Sequence, residues 1–493
     1  MMFKRFIATL TLLGSALAHS ATAPANVELT GAAAREDVEL AREALMAIHA
    51  GYDRYISKAE LEARWDVLRA SADEGMTRGQ LYFGISEILA QIRCDHTKAE
   101  LPEDIETERE SAPIYLPFRY QFFDGRMFVT EVGDGVALER ETEIVAIDGQ
   151  PVSELIAAVS AVFPVDGDTD YIKEHSIANF GEFMGPAFEH FMPYVYGLSD
   201  QAVLSVVGLD GSAQEVTVDR LGFEAYAAIT GEKRFSRNFV DAVRFETLGD
   251  DAAYLAVDTF VNYRRPIKPD KLYKPIFRQL AKEGRDKLIV DLRLNGGGSN
   301  DAAWGLFQWL INDPVQPTPE IWTRFDRIEP ELREHLSTWE ERALKPNPNW
   351  FEKIDNGYYK LVSKLAGAPG RPLKPKRGAF EGEIIMLTSF DNASGVTHLL
   401  SAMRGIGRAT FVGEPTGGAA TGATAGYLAY LTLPESGIRV RIPLQRTIMA
   451  NADKLNPRGG IMPDVVATPT RETYFAGQDV ALEKAKAMFG ITE

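Results

Sequence analysis

The sequence holds one cysteine, Cys94, in 493 residues, so no disulfide forms within the chain and zinc sites built on several thiolates are excluded. No H-E-x-x-H surrounds any of the seven histidines, no serine sits in G-x-S-x-G, and none is followed by lysine at the third position. Those absences argue against a zinc peptidase, an α/β-hydrolase and β-lactamase-type serine chemistry. Basic charge is also scarce: 53 Lys and Arg against 70 Asp and Glu leave a net charge of −17. Nucleic acid and anionic membrane both favour a basic surface, so neither is expected as a partner. Past the N-terminus no apolar run is long enough to span a bilayer, and there are no repeats or low-complexity tracts. No cofactor and no metal centre is expected.

What is present begins with MMFKRFIATLTLLGSALAHSATA. Lys4 and Arg5 precede an apolar run from Phe6 to Ala18, followed by small residues at Ala21 and Ala23. That is the anatomy of a secretory signal peptide over residues 1–23, which predicts a periplasmic or secreted protein. No cysteine follows the run, so no lipid anchor is indicated. Residues 24–112 read as an acidic, amphipathic helical region. Thr77 and Gln80 form a capping box ahead of Leu81, Ile85, Ile88, Leu89 and Ile92, which share one helix face. This helix runs straight into Cys94-Asp95-His96-Thr97.

Residues 113–222 change to short strands and turns, with hairpins predicted at Asp124-Gly125 and Asp210-Gly211. Between them, ETEIVAIDGQPVSELIAAV predicts a strand at Ile144–Ile147, a turn at Asp148-Gly149 and a helix. Glu143 to Val152 resembles the PDZ pattern G-x-E-I-x-x-I-(N/D)-G-x-x-V, with Glu141 or Thr142 where the glycine usually stands. The resemblance implies a groove that takes an extended peptide by strand addition.

Residues 240–480 read as a further, α/β domain. AAYLAVDTF, KLIVDLRL, GEIIMLTS and ATFVGEPTGG predict strands alternating with helices, and GYLAYLTLPESGIRVRIPLQ predicts a closing hairpin. Residues 314–378 interrupt the order as an insertion, either a lid or surface chain. Two segments leave buried strands and enter helices: DLRLNGGGSN (Asp291 to Asn300) and TSFDNASG (Thr388 to Gly395). In open α/β sheets sites gather at such strand ends, and amides of a glycine turn or helix N-terminus face outward there. Ser394 opens its helix, either as a cap or as a nucleophile facing those amides. N-G-G-G fits neither the P-loop nor the dinucleotide fingerprint.

Taken together these segments resemble the tail-specific (C-terminal processing) and tricorn-core serine peptidases. DLRLNGGGSN resembles that family's D-x-R-x-N-x-G-G turn. Gly407 to Gly418 resembles G-R-A-x-x-V-G-E-x-T-x-G, and Gly459 to Thr470 resembles G-(V/I)-x-P-D-x-x-V-x-P-T. The resemblance implies a ClpP/crotonase-like layered α/β catalytic domain, joined to the N-terminal helical region and the PDZ-like β-rich domain. It also implies a serine peptidase acting on peptides or unfolded protein tails, with Ser394 as nucleophile. One branch of the family uses a lysine base, but Ala419 and Ala420 occupy those positions here. The other branch uses the histidine of G-D-G-H-T; here the stretch is Arg93-Cys94-Asp95-His96-Thr97, an altered form that retains D-H-T, so the resemblance assigns His96 as base.

For the third member of a triad the branch usually has glutamate, which is absent here. Asn456, which follows Leu455, is the first choice and Asp453 the second. Thr397 stands where the family often has glutamate. Expected oxyanion donors are the N–H groups of Gly395 and of one of Gly296–Gly298, Gly297 first. His398, one helical turn beyond Ser394, is read as a packing residue. The rival reading is a non-catalytic binder of peptides or apolar ligands on the same scaffold.

Overall fold

The computed structural model describes residues 23–179, 183–229 and 238–491; the expected signal peptide, apart from its last residue, lies outside the described residues. The fold is mixed α/β, with the layered catalytic sheet the resemblance implied. Its strands run in the order Val243–Leu248, Ala252–Val257, Lys287–Asp291, Glu383–Thr388, Thr410–Gly413 and Val465–Val466. All neighbours are parallel except the first pair.

These strands are apolar on both faces because both faces are covered. Leu288 and Val290 belong to one core with Leu255, Met386 and Phe411, beneath the helices Asp270–Glu283, Asn300–Leu310 and Ser394–Ile406. Ile289, Ile385, Leu387 and Val412 face the other way, onto Ala485 and Phe489 of the C-terminal helix segment.

A second body of the molecule is organised around the long hairpin Thr424–Thr432 and Arg439–Ile448. Here residues 314–378 show their role: the strands Glu320–Thr323, Tyr359–Leu361 and Phe351–Lys353 extend the hairpin sheet one after another. The segment is part of a sheet rather than a lid. Ala429, Leu431, Val440, Ile442 and Leu444 of the hairpin pack in one continuous core with the N-terminal helices Gly31–Ile48, Lys58–Ala72 and Arg78–Gln91. Thr77 and Gln80 make the reciprocal capping box that starts the third of these.

The same core reaches the β-rich segment. Its hairpin Phe118–Phe123/Arg126–Val132 turns at Asp124 and Gly125, and Glu143–Ile147 is followed by a turn at Asp148 and Gly149. All four turn residues hold positive φ, the backbone that tight hairpin turns demand. The helix Val152–Val162 follows.

One small strand fixes the site. Lys98–Glu100, just after Thr97, pairs antiparallel with Arg439–Arg441 of the hairpin. Residues Cys94 to Thr97 are thereby carried to a region of chain that follows Ser394 in sequence. Among the described residues no helix is long and apolar enough to cross a membrane.

Candidate active site

The Ser394 side is built from two adjacent strand ends. Asp291 and Leu387 are register partners, so the turns that leave their strands lie side by side. Two fully buried asparagines lock these turns together. Asn392 Nδ2 donates to the carbonyls of Leu292 (2.6 Å) and Asn295 (3.1 Å), and its Oδ1 accepts from Ser389 N–H at 2.9 Å. Asn295 Nδ2 donates to Val257 O at 2.9 Å. Buried amides bonded this fully hold backbone in place, because losing one bond strands a desolvated polar group.

Ser394 stands at the first turn of the helix Ser394–Ile406 with φ of +52°, a conformation that non-glycine residues rarely adopt. It is not the cap; Ala393 holds that place and caps with no side chain. The Ser394 hydroxyl makes no hydrogen bond among the described residues, and the residue is half-buried. The glycine turn comes very close. A Cβ added to Gly297 would meet Gly395 N at 2.8 Å, and Ala393 O and Ser394 Cβ at 2.9 Å. With φ of +110° as well, Gly297 has two reasons to be glycine.

The turn also corrects one expectation. Gly297 N–H donates to Asn295 Oδ1 at 2.8 Å, so it is not free for an oxyanion. The asparagine closes a side-chain turn on the amide two residues on, a habit of this residue type. Gly298 is placed differently. Phe260 N–H donates to Gly297 O and Ser299 N–H donates to Phe260 O, which leaves the Gly298 N–H and C=O on the opposite side. There a Cβ on Gly395 would lie 2.9 Å from Gly298 O and 3.3 Å from Gly298 N.

The His96 side is crowded with charge. His96 Nδ1 lies 2.5 Å from Asp95 Oδ1, an ion-pair contact whose angle is poor for a hydrogen bond. Asp95 N–H donates to Asp166 Oδ1 at 3.1 Å, and Ala419 N–H approaches Asp166 Oδ2 at 3.4 Å. Cys94 Sγ donates to Thr424 O at 3.3 Å, and Arg441 Nε to His96 O at 3.0 Å. Thr97 Oγ1 bonds His49 Nε2 at 2.7 Å, and burial drives the His49 pKa down to about 3.

Burial pushes the His96 pKa down, but the Asp95 carboxylate more than reverses this and holds it well above the ordinary histidine value. Asp166, deeply buried and facing Asp95, is raised. The sequence reading passed over Asp166. Its signal is the acidic run Asp166-Gly167-Asp168-Thr169-Asp170 in a segment otherwise read as β-rich. Cys94, Asp95, His96 and Asp166 also form the group of donor side chains among the described residues that is close enough to share a metal ion.

The two sides meet through the loop from Thr416 to Ala423. A Cβ on Gly418 would touch Thr397 Oγ1 at 2.4 Å and Ala393 Cα at 2.8 Å, while the next residue, Ala419, lies against Asp166. Ala419 and Ala420, where a lysine base would stand, are almost completely buried. His398 Nε2 accepts the Ala423 N–H at 3.2 Å, so its lone pair is already used. Burial, then the nearby His96 charge, lowers the His398 pKa to about 4. His96 therefore lies close to the first turns of the Ser394 helix, although no hydrogen bond joins it to Ser394 among the described residues.

Asn456 and Asp453 are both exposed. Asn456 Oδ1 accepts the N–H groups of Arg458 (3.2 Å) and Gly459 (3.1 Å), turning its own loop. That loop is clamped to the acidic run by Arg458 Nε and Asp168 Oδ2 at 2.6 Å. Neither Asn456 nor Asp453 has a hydrogen bond to His96 among the described residues; the carboxylate beside its Nδ1 is Asp95.

Residues 251–467 match the family model for peptidase family S41. Solved structures of similar fold include mature CPAF complexed with lactacystin, with a TM-score of 0.61 and 14% identity over 94% of this chain and 99% of that one. Mature CPAF on its own gives 0.60 and 14%, over 93% and 96%. At such identity the likeness is one of fold.

Proposed function

From the premise that the chain carries the catalytic domain of a serine peptidase of family S41, we propose that it is an exported enzyme using Ser394 as nucleophile and His96 as base. Ser394 Oγ attacks the scissile carbonyl while His96 takes its proton. The oxyanion is met by the N–H groups of Gly395 and Gly298. The protonated His96 then passes its proton to the leaving amine, and water hydrolyses the acyl-enzyme by the same steps in reverse role. Asp95, backed by Asp166, orients the imidazole and stabilises its charged form.

The observation that carries this reading is the backbone of Ser394: strained, uncapped and laid against glycine amides. Strain of this kind is kept where a side chain must be presented in one direction. In free enzymes the serine–base hydrogen bond is commonly long and shortens with substrate. Export is supported by the basic and apolar N-terminus. The substrates are peptides or unfolded protein tails, held as an added strand by the PDZ-like segment.

A fluorophosphonate probe tests the assignment. Labelling of wild-type protein at the peptide containing Ser394, lost in Ser394→Ala and strongly reduced in His96→Ala, is expected. Folded protein that neither labels nor turns over a casein-like substrate, yet binds peptide equally well with Ser394→Ala, would establish the non-catalytic binder instead.

A further inference from the structure

The donor set around His96 is richer than a peptidase base requires. Cys94 Sγ, an imidazole nitrogen of His96 and carboxylate oxygens of Asp95 and Asp166 all lie within 4.8 Å of one another. A tetrahedral zinc ion, with bonds of about 2.0–2.3 Å, spaces its ligands roughly 3.3–3.8 Å apart, so the widest separations need close by only ~1 Å while the 2.5 Å contact of Asp95 Oδ1 and His96 Nδ1 opens to admit the ion. Two of the four side chains, Cys94 and Asp166, are each only 3% exposed. Asp95 Oδ1 and His96 Nδ1 are buried atoms that meet only each other, in the 2.5 Å ion-pair contact, and have no hydrogen-bond partner. The residues Asp95 and His96 keep side-chain exposures of 26% and 17%, which gives an ion access from solvent.

We propose that Cys94, Asp95, His96 and Asp166 form an inhibitory site for a thiophilic divalent cation of the zinc class. Thiolate with imidazole selects such ions over magnesium or calcium, which prefer all-oxygen shells. Two carboxylates facing each other also gain from a cation between them.

Inhibition follows from the chemistry of the ring. A metal on Nε2 removes the lone pair that accepts the serine proton. A metal on Nδ1 leaves the proton fixed on Nε2, with the same result. The binding claim stands on the cluster alone, whereas the inhibitory claim rests on His96 as base.

The experiment uses the untagged full chain, freed of metal with a chelator. One Zn²⁺ per chain is expected by calorimetry, without competition from millimolar Mg²⁺. Co²⁺ should give a sulfur-to-metal charge-transfer band in the near ultraviolet. Cys94→Ser should lose that band and bind zinc at least tenfold more weakly, and Asp166→Asn should also weaken binding. In a peptide assay zinc should inhibit wild type, EDTA should restore it, and Cys94→Ser, measured against its own metal-free rate, should need at least tenfold more zinc for the same fractional inhibition. Absence of the cobalt band in wild type, or wild-type zinc affinity in both variants, overturns the site. Binding without inhibition in protein that turns over peptide overturns its inhibitory role. No turnover in metal-free wild type counts against the peptidase reading, while the cobalt band still decides the site.

Discussion

The two sides of the site around Ser394 are held by different means. The serine side is nearly all backbone: two parallel strand ends, a glycine turn, and two buried asparagines tying main chain to main chain. The histidine side is nearly all side chain: one imidazole, two carboxylates and a thiol, gathered on a loop that depends on a three-residue strand. Backbone geometry of the first kind needs only two main stretches of chain, in each of which a strand, a turn and a helix follow one another directly. The second kind is specified by partners from four stretches of chain, Cys94–His96, Asp166, Ala419 and Arg441. A substitution on the serine side should therefore act through shape, and one on the histidine side through charge.

The comparison is broken most severely by removing either chemical group. Ser394→Ala and His96→Ala are each expected to cost on the order of 10⁴-fold or more in kcat, with the double variant no worse than either single one. Circular dichroism should show all three folded. His398→Ala should keep most turnover, and a loss equal to that of His96→Ala would overturn the assignment of the base.

Shape comes next. Gly297→Ala places a methyl 2.9 Å from Ser394 Cβ on a backbone with φ of +110°. The nucleophile must shift, and a loss of ~10²-fold or more in kcat/KM is expected, comparable with removal of an oxyanion donor. A variant with unchanged kcat/KM would mean that the turn has slack the geometry does not suggest.

Charge is read from the pH profile. As the proposed base, His96 would accept a proton only when neutral, and the Asp95 carboxylate keeps it protonated to higher pH than an ordinary histidine. Activity should accordingly rise through a pH above about 6.5, the ordinary histidine value. Asp95→Asn removes the charge that favours imidazolium, so the rise should move to lower pH while kcat falls. Asn456→Ala should leave the rise in place. If Asn456→Ala moved it and Asp95→Asn did not, Asn456 would be the orienting partner.

The smallest expected effects are structural. Arg441→Ala removes one hydrogen bond to the His96 carbonyl and should destabilise by ~1 kcal/mol, visible as a lowered Tm. Asp453→Ala, at an exposed position, should change neither Tm nor turnover measurably.

Much of the parallel sheet was legible from apolar runs bounded by turns. The strands at Lys287–Asp291 and Glu383–Thr388 fall within KLIVDLRL and GEIIMLTS, where alternate residues must face two layers. What periodicity could not reveal was which sheet a strand joins. The strands within residues 314–378 are short and join by pairing with the hairpin, not through any pattern of their own. In the site, the Ser394 turn was readable, yet passing over Gly297 for Gly298 required knowing that Asn295 would claim the Gly297 amide. Asp166 was invisible for a similar reason, because an acidic loop and a buried acid look alike until the chain folds back on it.

The pairing of Lys98–Glu100 with Arg439–Arg441 also governs when the enzyme comes into being. Contacts between residues so far apart in sequence form late, after the entropy of closing the intervening loop has been overcome. A growing chain carries His96 early, exposes Ser394 later, and lacks the hairpin that anchors the base until synthesis is nearly over. No incomplete chain that ends before the hairpin has the strand pairing that brings the His96 segment to this region. Under the proposed roles, proteolytic power is withheld until the hairpin strand Arg439–Ile448 has been made, a safeguard written into chain order rather than into a separate inhibitor.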